Sequence, residues 1–385
     1  MNREICLLGF LDKGKREKIG YYLFFAGIML ELLVMVTDNA AYYTILYRGR
    51  ILQVAFLLFF FKIVLTSFNL KEWILAFILC VVGTYLYLVT DDEYVIRCFV
   101  FVLACKGVEL EKIIKVIFWT TIISTTIIAV LSFFDISGPL VQIRDYSRGG
   151  IEKRFSFGFN HANNIHSNLW YIITLFFLFK REMTAKKELI ILCSVNLLLY
   201  FFTLSRTGFL ICVILLLGIW IISIRKDRVI NVLYFLMSLI SLACCVFLTV
   251  WSAKYSIYRS RLEAFLDKFL TGRLEMVSEQ AAIYSWTLEP TNRATPGIDN
   301  GYANIIYVYG VWFALVFVLL LVALEIFFLA KKKNTLQLVL TCVVIELFME
   351  STFIISESVL CNVLVILGGL CINGKKDQTN WCEKI

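Results

Sequence analysis

Apolar stretches long enough to cross a lipid bilayer follow one another from about Ile19 to Cys371, and polar links separate them. A membrane-spanning helix needs about 20 apolar residues. Because backbone groups in hydrocarbon must be paired within their own segment, these stretches predict helices. The fourth stretch is the shortest and contains Arg97. About twelve helices are predicted, near residues 19–37, 51–68, 73–90, 94–106, 113–134, 164–180, 188–204, 207–224, 229–252, 301–329, 336–355 and 358–373.

Positive charges concentrate in alternate links between these stretches. With twelve spans, all of the basic links fall on one side of the membrane, which the positive-inside rule identifies as the cytoplasm. Both termini are then cytoplasmic, and the outer side holds acidic or neutral links such as Asp91-Asp92-Glu93 and Ser356-Glu357-Ser358. The basic residues are Lys13, Lys15, Arg16, Lys18, Lys106, Lys112, Lys115, Lys180, Arg181, Lys186, Lys187, Arg225, Lys226, Arg228, Lys331, Lys332, Lys333, Lys375 and Lys376.

The composition predicts one integral membrane domain over residues 1–385. Hydrophobic residues make up 60% of the chain and charged residues 17%, whereas soluble domains carry about 25% charged residues. The net charge of +8 lies in short links, so it does not indicate a nucleic-acid partner. The first stretch lacks a small-residue cleavage site and is expected to remain as an anchor. Neither long outer loop contains a cysteine, which argues against disulfides and a Cys/His metal site there.

Two links on the predicted outer side are long, residues 135–163 and residues 253–300. Loops of this length are usually functional. In the second loop, apolar residues recur at helical spacing, which predicts an amphipathic helix on the outer membrane surface or capping the bundle. A second short helix is predicted from Arg273 to about Trp286. The apolar positions of the first helix are Tyr258, Leu262, Phe265, Leu266 and Phe269.

Three polar stretches on the outer side contain residue types suited to chemistry. An arginine between two spans is costly unless it is paired or hydrated, so Arg206 is expected to have a purpose. The first stretch holds both histidines of the chain, His161 and His166. The stretches are Arg154–Asn168, Ser205–Gly208 and Pro296–Tyr302.

Each stretch also has a structural interpretation. Arg206 can anchor a helix end by snorkelling. His161 and His166 can serve as hydrogen-bonding groups at the interface, which is commoner for an isolated histidine than catalysis. Asp299 and Asn300 precede the tenth helix, where an N-cap residue is expected.

Several charged residues lie inside predicted spans, and intramembrane carboxylates suggest a function by default. The structural alternative is an ion pair such as Glu31 with Lys62. Glu346 and Glu350 are four residues apart on one helix face, with Glu350 toward the outer side. The charged residues are Glu31, Lys62, Glu325, Glu346 and Glu350.

Three motifs resemble those of bacterial Wzy-type O-antigen and capsular polysaccharide polymerases, relatives of the O-antigen ligases. The resemblance extends to the topology of about twelve spans and two large outer loops. His161-Ala162-Asn163 departs from the His-Pro-Asn that is frequent in the family. Asp299-Asn300 departs from the His-Asn of the ligases, which favours a polymerase and leaves the general base open. The motifs are Ser-Arg-Thr-Gly at 205–208, Gly-Phe-Asn-His-Ala-Asn at 158–163 and Gly-Ile-Asp-Asn-Gly-Tyr at 297–302.

The resemblance implies an all-α polytopic membrane protein of the GT-C-like glycosyltransferase class, located in a bacterial cytoplasmic membrane with its active site facing outside. It implies inverting glycosyl transfer without a metal or cofactor, in which undecaprenyl-diphosphate-linked oligosaccharides are polymerised into capsule, O-antigen or exopolysaccharide. The implied partners are these lipids and the membrane, with a chain-length regulator and a flippase as further candidates. The amphipathic helix near 257–270 is a candidate gate for lateral access of the lipid.

The resemblance also suggests roles for individual residues. Charge builds on the departing diphosphate, and guanidinium groups bind phosphate oxygens in bidentate fashion without losing their charge. Arg206 is the first candidate for this role, with Arg154 and Arg273 from the two loops. The acceptor hydroxyl needs a base, for which Asp299 is the first candidate and His161 the second. Further predicted substrate contacts are Asn163, Asn300, Arg148 and Glu350.

Two other functions are compatible with the sequence. One is a ligase that transfers a finished glycan to another acceptor. The other is a carrier that flips lipid-linked oligosaccharide or co-transports protons through its buried acids. A carrier is expected to have paired repeats and helices broken near the midplane, and the sequence indicates neither.

Overall fold

The computed structural model describes residues 6–7, 12–43, 45–145, 150–180, 186–224, 228–254, 261–292, 297–350 and 358–372. It is mostly helical (78%). The elements of this described part are α1 (Lys13–Asp38), α2 (Arg48–Leu65), α3 (Leu70–Thr90), α4 (Tyr94–Ala104), α5 (Leu110–Ser132), β1 (Val141–Asp145), β2 (Ile151–Phe155), α6 (Ala162–Phe179), α7 (Lys186–Thr203), α8 (Arg206–Ile224), α9 (Arg228–Lys254), α10 (Arg261–Phe269), α11 (Arg273–Ile283), α12 (Gly301–Ala330), α13 (Asn334–Met349), a short 3-10 helix (Val359–Cys361) and α14 (Val363–Ile372).

The apolar helices lie where the hydrophobic pattern predicts them. Helices α1–α9 and α12–α14 coincide with the predicted spans. Six of them, α1, α3, α5, α8, α9 and α12, are long and apolar enough to cross a membrane. Helices α4, α13 and α14 are apolar but shorter. The chain therefore has the fold of a helical membrane protein, and the full set of twelve spans stays a prediction.

Two polar contacts join helices near the links between predicted spans. The Tyr309 hydroxyl of α12 donates to Asp92, between α3 and α4, at 2.6 Å. The Lys106 ammonium, after α4, lies 2.6 Å from the Glu72 carboxylate of α3. The orientation of the helices in a membrane stays a prediction.

Helix α13 lies at the centre of the bundle. It is buried along most of its length and packs against α6, α8, α9, α12 and α14. Two glycines bring its neighbours close. A Cβ atom at Gly218 of α8 would lie 2.5 Å from Leu338, and one at Gly301 of α12 would lie 2.5 Å from Leu347. Small residues permit this close approach of membrane helices. The outer end of α13, at Met349, is therefore surrounded by other elements.

The first outer loop contains an antiparallel hairpin, which the helical pattern did not predict. Strand β1 pairs with β2, so alternate side chains point to opposite faces. One face carries Gln142 and Arg154, which are only 5% and 1% exposed. The other face carries Ile143 and Ile151, which are 67% and 75% exposed. The two faces of the hairpin therefore differ: buried polar side chains lie on the face toward the protein, and exposed isoleucines lie on the other face.

The second outer loop contains two short helices, as the sequence predicts. Residues 255–260, at the predicted start of the amphipathic helix, lie outside the described part of the chain. The Asp267 carboxylate of α10 accepts hydrogen bonds from the backbone N–H groups of Leu274 and Glu275 at 2.9 and 3.0 Å, and so caps α11. A small core fastens this loop to α12, formed by Val277, Ile298, Ala303 and Tyr307.

Helix α12 is broken at Gly310, where φ is 80° and ψ is 167°. The chain that follows α11 fills the break. The N–H groups of Val311 and Trp312 donate to the carbonyls of Thr287 and Leu288 at 2.9 and 3.3 Å. A Cβ atom at position 310 would lie 2.5 Å from the Leu288 carbonyl oxygen, so the position requires glycine. The hydrophobic pattern predicted one continuous span over 301–329, because a lone glycine in an apolar run gives no warning of the carbonyls that will contact it.

Glu31 pairs with Arg97, and the suggested pairing with Lys62 was wrong. A guanidinium nitrogen of Arg97 lies 2.7 Å from Glu31, and the two side chains are 4% and 1% exposed. The Ser358 hydroxyl and the Val359 N–H donate to the other carboxylate oxygen at 2.8 and 3.0 Å. Lys62 donates instead to a backbone carbonyl after α4. The arginine that interrupts the fourth span is therefore a structural partner joining α4, α1 and the 3-10 helix.

Replacing Glu31 with alanine should destabilise the protein by about 3–5 kcal/mol, because the buried Arg97 would lose its close partner and keep only the Glu93 carboxylate, 3.9 Å away. Lys112→Ala is the control, since its pair with Glu109 is 61% exposed on both side chains and such pairs contribute about 0–1 kcal/mol. Thermal unfolding in detergent measures both variants. Equal losses in the two would contradict the structural role given to the buried pair.

Candidate functional site

The first polar stretch meets the end of α13. His161 precedes α6, and its Nδ1 accepts a hydrogen bond from the backbone N–H of Asn163 at 3.1 Å. The histidine therefore acts as the N-cap of the helix. The side-chain nitrogen of Asn163 donates to Glu350 Oε1 at 3.3 Å. Glu350 directly follows α13 in an extended conformation.

Glu350 also binds the second outer loop. Arg273, the first residue of α11, donates through Nη2 to the same Oε1 atom at 3.1 Å, and the two side chains are 6% and 12% exposed. The guanidinium also donates to the carbonyls of Met349 and Leu270 and to the Thr271 hydroxyl. Arg273 is therefore held in a fixed orientation, and most of its donors serve the fold.

The neighbours Asp299 and Asn300 have different environments. Asn300 is fully buried, accepts from the Ala303 N–H at 2.9 Å and donates to the Thr249 hydroxyl at 3.2 Å. It is the N-cap of α12, which is the structural interpretation considered from the sequence. Asp299 is only partly buried and raises the pKa of His161 through its charge. The side chain of Asn300 is therefore used by the fold, whereas the carboxylate of Asp299 is partly exposed.

The hairpin brings further arginines. Arg154 is buried and donates through Nε to the Glu152 carboxylate at 2.8 Å, with Nη2 on the same oxygen. Arg144 lies opposite Glu152 in the strand register and is exposed. Arg148, a predicted substrate contact, lies outside the described residues. The first loop thus contributes one arginine that is already paired and one that is open to solvent.

Charges from both outer loops act on His161. Burial lowers the pKa of this histidine below its ordinary value of 6.5. The charge of Asp299 raises the pKa, and three guanidinium groups lower it: Arg154, Arg144 and Arg273. Charged residues of both long loops therefore act on this one histidine at the start of α6. The ring is neutral at neutral pH.

The cap geometry defines what His161 can do. A neutral imidazole whose Nδ1 accepts a hydrogen bond carries its proton on Nε2. In this form both ring nitrogens are occupied, Nδ1 by the cap and Nε2 by its proton. This arrangement speaks against His161 as the general base and leaves Asp299 as the better candidate for that role.

Arg206 begins α8 and is exposed at the outer end of the bundle. Its turn lies beside α6, because a Cβ atom at Gly208 would lie 2.9 Å from the His166 ring. His166 is buried and hydrogen-bonds to Asn196 at 2.8 Å and to Thr203 at 3.2 Å, so it is a structural residue. No carboxylate of the described residues forms an ion pair with Arg206, which leaves its guanidinium open to a ligand.

Two residues near the site were not predicted, Arg144 and Glu152. Both lie on the polar face of the hairpin. The alternation Val-Gln-Ile-Arg at 141–144 is a period-two pattern that favours a strand. It covers only a few residues, and the spacing of the spans gives no reason to look for it.

No known protein family, curated protein or solved structure matches the chain. The fold is that of a helical membrane protein, and the site is a cluster of arginines, carboxylates and one histidine at one end of the bundle. A function therefore has to be argued from the chemistry of these residues.

His161→Asn should retain the cap of α6, whereas His161→Ala should cost about 1 kcal/mol, because asparagine is a good N-cap and alanine is not. Since folding lowers the pKa of His161, its contribution to stability is present above pH 6.5 and is lost as the pH falls below that value. The wild type should therefore lose more stability on acidification than His161→Asn. Thermal unfolding across this pH range measures the difference. Identical pH profiles of the two proteins would rule out the cap through Nδ1.

Proposed function

We propose that the protein is a polysaccharide polymerase that joins undecaprenyl-diphosphate-linked oligosaccharide repeats at the outer face of a bacterial cytoplasmic membrane. The main support is the cluster around His161, where charged residues of both outer loops meet the ends of α6 and α13. Such a cluster at the membrane boundary suits a substrate with a charged diphosphate and a lipid tail. The motif resemblance supplies the reaction class.

The arginines divide into two groups in this proposal. Arg206 and Arg144 are exposed and contact the diphosphate of the donor lipid. Arg154 and Arg273 are paired with Glu152 and Glu350, so they shape the site and add positive potential. Positive groups held in place before the reaction stabilise charge on the leaving group without reorganisation. A guanidinium keeps its charge at every physiological pH.

Asp299 acts on the acceptor sugar. Its carboxylate takes the proton of the attacking hydroxyl while the new glycosidic bond forms. The bond between the anomeric carbon and the diphosphate oxygen breaks, and the diphosphate leaves with the electron pair. Inversion at the anomeric carbon follows from a single displacement. In this proposal Asn163 binds sugar hydroxyls by hydrogen bonds and so orients the acceptor.

The ligase alternative uses the same groups with a different acceptor. A carrier is expected to have helices broken near the midplane, and α12 is broken at Gly310. The segment after the break extends to Ala330, and its roughly 20 residues measure about 30 Å, the full thickness of the hydrocarbon. The break therefore lies at a membrane boundary and not at the midplane site expected of a carrier. Two of the buried acids also have partners, since Glu31 binds Arg97 and Glu325 accepts from Ser238.

Purified protein in vesicles with lipid-linked repeat units should produce longer glycans, and Arg206→Ala should abolish elongation while single repeats accumulate. Asp299→Asn should lower the turnover rate by at least about 100-fold, as expected for loss of a general base. Gel or mass analysis of the lipid-linked glycans measures chain length.

Two matched variants serve as controls. Arg50→Ala removes an exposed arginine, and Asp135→Asn alters an outer-side carboxylate that accepts from Tyr42. Both should retain the wild-type chain-length distribution. Movement of the substrate across the bilayer without elongation would favour the carrier, and an unchanged ladder in Arg206→Ala would remove Arg206 from the mechanism.

A further inference from the structure

Helix α10 has an exposed apolar stripe made of Leu262, Phe265 and Phe269. These side chains are 64%, 66% and 66% exposed. At about 100° per residue, the three positions fall within a sector of roughly 60° on the helix. Large apolar residues scattered singly on a surface need no explanation, but a continuous stripe on one helix face indicates a binding surface.

The opposite side of α10 is fixed to the protein. Asp267 is 8% exposed and lies roughly 170° around the helix from the middle of the stripe. Its carboxylate holds the N-terminus of α11 through Leu274 and Glu275, and its backbone carbonyl accepts from the Gly272 N–H at 2.9 Å. α10 therefore cannot rotate to bury the stripe without losing the cap of α11.

The position of α10 along the chain places it near the membrane. Helix α9 is long and apolar enough to span the bilayer and ends at Lys254. Arg261 begins α10, and a fully extended chain between these two residues reaches at most about 25 Å. Helix α11, to which α10 is fixed, packs against α9. The last turns of α9 also expose Phe247 and Val250, at 63% and 41%.

We propose that α10 lies flat on the outer leaflet of the membrane that holds the protein, with Leu262, Phe265 and Phe269 inserted among the acyl chains. An amphipathic helix binds at this depth when its apolar face is buried and its charged residues stay at the headgroups. Arg261 and Lys268 are exposed beside the stripe, where they meet lipid phosphates. Membrane lipid is therefore the partner, and neither a second copy of the chain nor a soluble protein is needed to cover the stripe.

This docking has a mechanical consequence for the second outer loop. α10 caps α11, and α11 begins with Arg273, which binds Glu350. The guanidinium of Arg273 also donates to the Leu270 carbonyl at the end of α10. The bilayer surface thus fixes the height of Arg273 above the bundle, through contacts that do not depend on any proposed reaction.

The test is photo-crosslinking of the full-length protein in vesicles of phosphatidylethanolamine and phosphatidylglycerol. Benzoylphenylalanine replaces Phe265 in one variant and Ala264 in the matched control, since Ala264 is exposed but lies away from the stripe. The same substitution at Phe247 of α9 is the lipid-facing reference. Position 265 should yield phospholipid adducts at a level similar to position 247 and many times that of position 264, as measured by mass spectrometry.

Three results would overturn the proposal. Equal lipid labelling at 264 and 265 would show that α10 has no membrane-facing side. Crosslinks from 265 to a second copy of the chain would make the stripe a dimer interface. Lipid labelling at 247 without labelling at 265 would place α10 away from the bilayer. None of these readouts requires glycan synthesis. A failure of the proposed polymerase activity would therefore leave the docking of α10 intact, and a failure of the docking would leave the proposed activity intact.

Discussion

One carboxylate oxygen of Glu350 accepts from both Arg273 and Asn163, and this shared contact joins the two outer loops to the core. Glu350 follows α13, whose neighbours surround it, so the oxygen lies where bulk water has little access. A carboxylate in such a place is costly without partners. The packing of the helices and the positions of the loops therefore constrain each other, and a site with residues from distant parts of the chain can be held in one geometry.

The helices could be predicted because the bilayer acts on the sequence directly. A segment that crosses the bilayer must be apolar over a fixed length, and lysine and arginine concentrate in the links on one side. The observed α1–α9 and α12–α14 follow the predicted stretches closely. The two short helices of the second outer loop followed from periodicity alone. Polar stretches near predicted helix ends pointed to His161, Asn163 and Asp299, and the carboxylates inside predicted spans pointed to Glu350. Their roles in a reaction stay predictions.

Partners could not be predicted in the same way, because they depend on which helices touch. The sequence offers Glu31 two basic partners inside predicted spans, Arg97 and Lys62. The packing of α1 against its neighbours decides between them, and Arg97 is the partner in the structure. Asn300 and Asp299 are adjacent, yet Thr249 and the start of α12 use Asn300 and leave Asp299 open. The requirement for glycine at position 310 comes from the close approach of the Leu288 carbonyl, which the sequence does not show.

The two long loops share one arrangement, in which polar side chains are buried against the protein and large apolar side chains are exposed. The hairpin turns Gln142 and Arg154 inward and leaves Ile143 and Ile151 exposed, while α10 fixes Asp267 inward and exposes its apolar stripe. A soluble lid would be expected to do the opposite and bury its apolar residues over the site. The exposed faces also carry the basic residues Lys153, Arg261 and Lys268, so each loop presents apolar and basic side chains together, as a boundary between lipid and water requires. A substrate with a charged head and a long apolar tail meets the same division, which is the strongest physical reason to expect a lipid-linked substrate in this protein.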